Sequence, residues 1–157
     1  MVRIKATQPK HYSELIARIT DHSAKVGIIG LGYVGLPLSM ELAKVGFKVT
    51  GFDIARHKIR LLNSGKSDID DVPDSIVKEM VTKGCFKATD DPRLVGKMDT
   101  VSICVPTPLS KTKDPDVSYI LAAVEWIKKY LRKGTLVVLE STTYPGTTHD
   151  LILPILE

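Results

Sequence analysis

Gly30, Gly32 and Gly35 lie in the run Val26-Gly27-Ile28-Ile29-Gly30-Leu31-Gly32-Tyr33-Val34-Gly35, with Asp53 eighteen positions after the last glycine, and together they have the types and spacing to hold a dinucleotide. The apolar residues before the glycines read as a strand, and the periodic ones after them as a helix. In that arrangement Gly30 permits a tight turn, Gly32 lets the backbone approach a pyrophosphate, and Gly35 lets the helix pack against the strand. The phosphates then face helix N-terminal amides. Asp53 stands where a carboxylate accepts both hydroxyls of an adenosine ribose, which favours NAD because a 2′-phosphate there would meet like charge. Arg56 and Lys58 follow closely and leave NADP open. The plainer alternative is a glycine-rich core turn beside a surface Asp, but strand, helix and acid at the right distance together weigh against it.

Two further segments carry unusual chemistry. Val105-Pro106-Thr107-Pro108 follows a β-branched run, and its prolines remove two amide donors, so the Thr107 hydroxyl and the carbonyls are left to face a ribose or carboxamide. Glu140-Ser141-Thr142-Thr143-Tyr144-Pro145-Gly146-Thr147-Thr148 packs five serine and threonine hydroxyls between a strand end and a helix start, more than capping requires.

The elements that must position these segments alternate. Tyr12, Leu15, Ile16 and Ile19 mark a short amphipathic helix expected to cover part of a sheet. Strands are predicted at Val26 to Ile29, Phe47 to Phe52, Phe86 to Ala88, Thr100 to Val105 (buried on both faces) and Leu136 to Leu139. The helix after the glycines carries two apolar stripes, Val34/Leu38/Leu42/Val45 and Leu36/Met40/Ala43, and is expected to be widely buried. Further helices are predicted over Ile54 to Leu62, from Pro73-Asp74 onward, over Val117 to Leu131, and from Thr147. Asp68, Asp70, Asp71 and Asp74 could suggest a metal, but a helix start favoured by its dipole accounts for them, and no metal is expected. The alternation implies an α/β fold: a Rossmann-type doubly wound parallel sheet of order 3-2-1-4-5 with ligands at the strand C-termini. A sixth strand is missing, which reads as truncation of a longer protein. The division is a helical extension over 1-23 and a nucleotide-binding domain over 24-157.

The chain has 157 residues, 43% hydrophobic and 25% charged, the composition of one ordinary globular domain. Its formal charge of +4 is dispersed along the sequence, with no basic stripe and no interleaved aromatics, so no nucleic acid is expected. No signal peptide or membrane-length apolar run occurs, and the membrane is excluded as a partner. Cys85 and Cys104 fall on predicted strands without metal or disulfide spacing, which reads as two buried thiols in a reducing, cytoplasmic setting. His11, His22, His57 and His149 have no ligand or triad spacing.

With GLGYVGLP, VPTP, Pro115-Asp116 and ESTTYPGTT in hand, the chain from about Ala24 to its last residue resembles the N-terminal domain of the UDP-glucose/GDP-mannose dehydrogenase family. The leading helix and the ESTTYPG segment resemble the branch acting on UDP-N-acetylhexosamines. The resemblance implies oxidation of C6 of a UDP-sugar from alcohol to carboxylate with two NAD, through a cysteine thiohemiacetal and thioester. It assigns Gly30, Gly32, Tyr33, Val34 and Gly35 to the pyrophosphate turn, Asp53 and Lys58 to the adenosine ribose, and Val105, Pro106, Thr107 and Thr143 to the nicotinamide side. Thr143 also matches a threonine that hydrogen-bonds a catalytic water. The nucleophilic cysteine and its supporting Lys, Asn and Glu are expected beyond residue 157, so this chain alone is expected to be inactive, and the full-length enzyme a homo-oligomer. The alternatives are a stand-alone NAD(H)-sensing domain, which has no use for VPTP or ESTTYPG, and a hydroxyacid dehydrogenase fragment, which would carry GLGxMG.

Overall fold

In the computed structural model, which describes residues 10–108 and 115–157, five short strands form one parallel sheet. They are β1 (Lys25–Ile29), β2 (Lys48–Phe52), β3 (Phe86–Thr89), β4 (Thr100–Ile103) and β5 (Leu136–Leu139), in the order β3-β2-β1-β4-β5. The central strand β1 pairs Val26 with Val49 on one side and with Thr100 on the other. Order and direction are those expected of right-handed crossovers between alternating strands and helices.

The helices are α1 (Lys10–Thr20), α2 (Gly35–Lys44), α3 (Arg56–Asn63), α4 (Asp74–Thr82), α5 (Ser118–Lys128) and the single turn α6 (Leu153–Leu156). One core cluster joins Val26, Ile28 and Val49 of the sheet to Leu36 and Met40 of α2 and to Val77 and Met80 of α4. A second joins Ile29, Phe52, Val101 and Ile103 to Ile120, Val124 and Ile127 of α5. Apolar side chains alternate between these two layers along the strands, so helices are needed on both faces.

Several expectations need correction. No residue of α1 is buried; only Ile19 packs on the core, and the helix is tied to the N-terminal ends of the strands by an Arg18–Asp99 ion pair rather than laid over the sheet. In α2 only the Leu36/Met40/Ala43 stripe is buried, together with Gly35 and Ser39, while Val34 and Val45 are more than half exposed. Strand β4 stops at Ile103, with Thr100 and Ser102 only half-buried, because α5 covers one face and no β4 residue joins the cluster on the other. Neither cysteine lies in a strand: Cys85 precedes β3 and is half-buried, and Cys104 follows β4 and is buried.

The last helix is also broken. Residues Thr148–Ile152 form a π-helical turn before α6, because Pro154 has no N–H to continue an α-helical ladder. Ile152 is buried, and Ile155 and Leu156 pack on the α5 cluster. A 3₁₀ turn at Pro92–Lys97, whose Asp91 cap accepts from Arg93 N–H, had no clear periodic signal.

The outer edge of β3 is closed by a side chain. Asn63 Nδ2 donates to the Ala88 carbonyl at 2.9 Å and its Oδ1 accepts from the Ala88 N–H at 2.8 Å, which occupies backbone groups that β2 does not reach. Asn63→Ala should therefore lower unfolding free energy by about 1–3 kcal/mol in urea titration. A loss below about 0.5 kcal/mol would show that water replaces the amide at no cost.

Candidate active site

The glycine turn leaves β1 at its C-terminal end. Gly30 has φ +89°, and a Cβ there would lie 2.9 Å from the Cys104 carbonyl oxygen, so no larger residue fits where the turn passes β4. A Cβ on Gly35 would lie 1.8 Å from the Gly30 carbonyl oxygen, so the start of α2 rests directly on the turn. Gly32 is different. Nothing lies within 4 Å of a Cβ built on it, so the protein's own packing does not demand glycine there.

Among the described residues the N–H groups of Gly32, Tyr33 and Val34 have no hydrogen-bond partner, and α2 begins without a side-chain cap. Orphan amides, a helix dipole and open space above Gly32 fit a pyrophosphate.

Asp53 sits at the end of β2, half-buried. Its Oδ2 accepts from the Leu31 N–H at 3.0 Å and its Oδ1 from the Ala55 N–H at 2.8 Å. Each oxygen keeps a lone pair, so the carboxylate is fixed in place and can still accept from two hydroxyls. Lys58 Nζ donates to the Leu31 carbonyl at 3.2 Å and pairs with Asp68 Oδ2 at 2.6 Å, with 14% of its side chain exposed. Lys58 thus braces the turn through the Leu31 carbonyl. Arg56 pairs with Asp90 at 3.0 Å in a solvent-exposed ion pair. The sequence pattern predicts a helix from Ile54, but α3 begins at Arg56 and Ile54 is 86% exposed. Tyr33 and Val34 are exposed as well, so Val34 does not lie on a buried stripe of α2.

The two remaining segments meet beside the turn. Cys104 N–H donates to the Ile29 carbonyl and Glu140 N–H to the Ile103 carbonyl, which aligns the ends of β1, β4 and β5. Ser141 Oγ donates to the Val105 carbonyl at 2.7 Å and stitches the hydroxyl run to the VPTP loop. Thr147 Oγ1 donates to the Tyr144 carbonyl at 2.8 Å. Two of the five hydroxyls are therefore structural. Thr143 is half-buried, with only a 3.5 Å contact to the Tyr144 carbonyl, and Val105 and Thr107 are half-buried while Pro106 is exposed. The structure thus gathers the glycine turn, Asp53, the VPTP loop and the hydroxyl run at one end of the sheet. Burial pushes the Cys104 thiol up to about 12, with Glu140 adding to the effect, so it stays protonated at neutral pH and is no nucleophile. No cluster of His, Cys, Asp and Glu suited to a metal occurs among the described residues.

The NAD binding domain of the UDP-glucose/GDP-mannose dehydrogenase family matches residues 24–157. The chain belongs to this family. It is 38% identical over 128 residues to a UDP-N-acetyl-D-mannosamine dehydrogenase of Pyrococcus horikoshii, covering 81% of this chain and 30% of that protein. Over 133 residues it is 38% identical to a UDP-N-acetyl-D-glucosamine 6-dehydrogenase of Pseudomonas aeruginosa, covering 85% and 31%. The crystal structure of a GDP-mannose dehydrogenase ternary complex from Pseudomonas aeruginosa superposes with a TM-score of 0.80 at 34% identity, covering 84% of this chain and 31% of that one. The chain spans about a third of the length of these dehydrogenases.

As an NAD-binding domain of this family, the chain should separate the roles of two glycines. Gly32→Ala should leave the thermal midpoint within about 2 °C and weaken NAD binding about tenfold or more, because only a ligand fills the space above it. Gly35→Ala should cost more than about 2 kcal/mol of stability, because its methyl must displace backbone. Calorimetric binding and thermal unfolding of both variants check this, and a destabilised Gly32→Ala with unchanged NAD affinity would contradict it.

Proposed function

We propose that the chain is the cofactor-binding part of a nucleotide-sugar 6-dehydrogenase that oxidises C6 of a UDP-N-acetylhexosamine to the uronate with two NAD. The observation that carries this reading is the pyrophosphate-shaped turn at Gly30, Gly32 and Gly35 with Asp53 locked beside it, supported by relatives named for UDP-N-acetylhexosamine substrates. NAD, when bound, supplies the oxidant. Gly32, Tyr33 and Val34 amides hold its pyrophosphate, Asp53 accepts the adenosine ribose hydroxyls while Lys58 braces Leu31, and Ile54 offers apolar surface to the adenine. Val105, Pro106, Thr107 and Thr143 line the nicotinamide side, and the Thr143 hydroxyl positions a water for the reaction. The nucleophile and sugar-binding groups belong to sequence outside these 157 residues, and the isolated chain forms no NADH from UDP-N-acetylglucosamine. A stand-alone NAD(H) sensor is the weaker reading, because it leaves the Ser141 link between the hydroxyl run and the VPTP loop without purpose. Free thiols at Cys85 and Cys104 support a reducing, cytoplasmic setting.

Titration calorimetry with NAD and NADP tests the cofactor assignment. The wild-type chain should prefer NAD by about tenfold or more, and Asp53→Asn should shrink that preference by weakening NAD while relieving repulsion of the 2′-phosphate. Tighter binding of NADP by the wild type, or an unchanged ratio in Asp53→Asn, would remove Asp53 from the ribose.

A further inference from the structure

The end of the sheet opposite the glycine turn holds a cavity of about 460 Å³, walled by α1, by the 3₁₀ turn leading to β4 and by the turn between α5 and β5. Arg18, Lys25, Lys97, Arg132 and Lys133 line it, with Asp99 as the one carboxylate. Counting histidine as neutral, that lining carries a formal +4, although its cations are far apart in the sequence.

Asp99 does not neutralise this cluster. Its Oδ1 takes Arg18 Nη1 at 2.5 Å and its Oδ2 takes the Lys25 backbone N–H at 2.8 Å, which leaves the side chains of Lys25, Lys97, Arg132 and Lys133 without a carboxylate partner among the described residues. The cations converge because the backbones do. A Cβ on Gly96 would lie 2.9 Å from the Tyr130 carbonyl oxygen and 3.5 Å from Arg132 Nε, so glycine at that position lets the end of α5 close over the 3₁₀ turn and brings Arg132 to the rim. A neighbouring cavity of about 200 Å³ shares Lys25 and Lys97 and adds Lys48 and Lys87, with Lys25 and Lys48 directly paired across β1 and β2.

We propose that this basic cavity binds a small molecule through a di- or triphosphate group, at a site separate from the NAD turn. Like charges held together without partners repel one another, and a multivalent anion relieves that repulsion while its oxygens accept from several donors at once. The volume is that of a small-ligand site, and its walls on three sides suit a compact anion better than an extended peptide. No Phe, Tyr or Trp lines it, so single-stranded nucleic acid finds no stacking platform.

Titration calorimetry with inorganic tripolyphosphate, run in excess NAD so that the glycine turn is filled, tests the site. Binding should persist under NAD and fall about tenfold or more in Lys97→Gln/Arg132→Gln, but not in Lys66→Gln/Lys78→Gln, which removes equal charge elsewhere. Thermal midpoints of both double variants confirm folding. UTP in place of tripolyphosphate identifies the source: tighter binding marks a nucleotide and equal binding marks the phosphates alone, and either supports the site. Loss of tripolyphosphate binding under NAD, equal losses in the two double variants, no binding at all, or stronger binding of a single-stranded oligonucleotide or a poly-glutamate peptide would overturn it.

Discussion

The contact between Gly35 and the Gly30 carbonyl is the constraint on which the functional end of this domain depends. With no side chain at position 35, α2 starts directly against the turn that ends β1, and a single methyl would intrude to 1.8 Å of the carbonyl oxygen. That approach does three things at once. It aims the unpartnered amides of Gly32, Tyr33 and Val34 along the dipole of α2, it presses the turn against Cys104 and hence against the loop after β4, and it sets Leu31 where Asp53 can accept its N–H. On the proposed reading, a pyrophosphate would meet donors there that need no reorganisation.

Around this contact the side chains divide between holding the site and lining it. Asp53 fixes Leu31 and Ala55, and its remaining lone pairs are the ones proposed to accept from a ribose. Lys58 leans toward holding, with Asp68 on one side and the Leu31 carbonyl on the other. Ser141 and Thr147 hold the opposite rim, which Thr143 and Thr107 are proposed to line.

Strand order and the glycine turn were legible because both follow from local rules: parallel crossovers have one hand, and Gly30, Gly35 and Asp53 obey a spacing set by backbone approach. The family was legible from VPTP and ESTTYPG together with the turn, and the match over residues 24–157 agrees. What escaped depends on the third dimension. Periodicity marked Val34 and Val45 as apolar but not that α2 buries only one stripe, and it placed Ile54 in a helix that begins two residues later. A break at Pro154 was foreseeable, but the π-helical turn ahead of it was not. The five cations at the base of the sheet are scattered from Arg18 to Lys133 in sequence, and only the fold brings them to one cavity.

The central claim is that the turn, Asp53 and the two loops act as one preformed cofactor site at the C-terminal end of the sheet. Amide chemical-shift mapping of the labelled chain during NAD titration tests it most directly. The largest shifts should fall on Gly30 to Gly35, on Asp53 and Ile54, and on Thr107 and Thr143, with Lys25, Lys97 and Arg132 at the far end unmoved. Shifts concentrated at the far end, or spread evenly with no change at Gly32, would contradict the account.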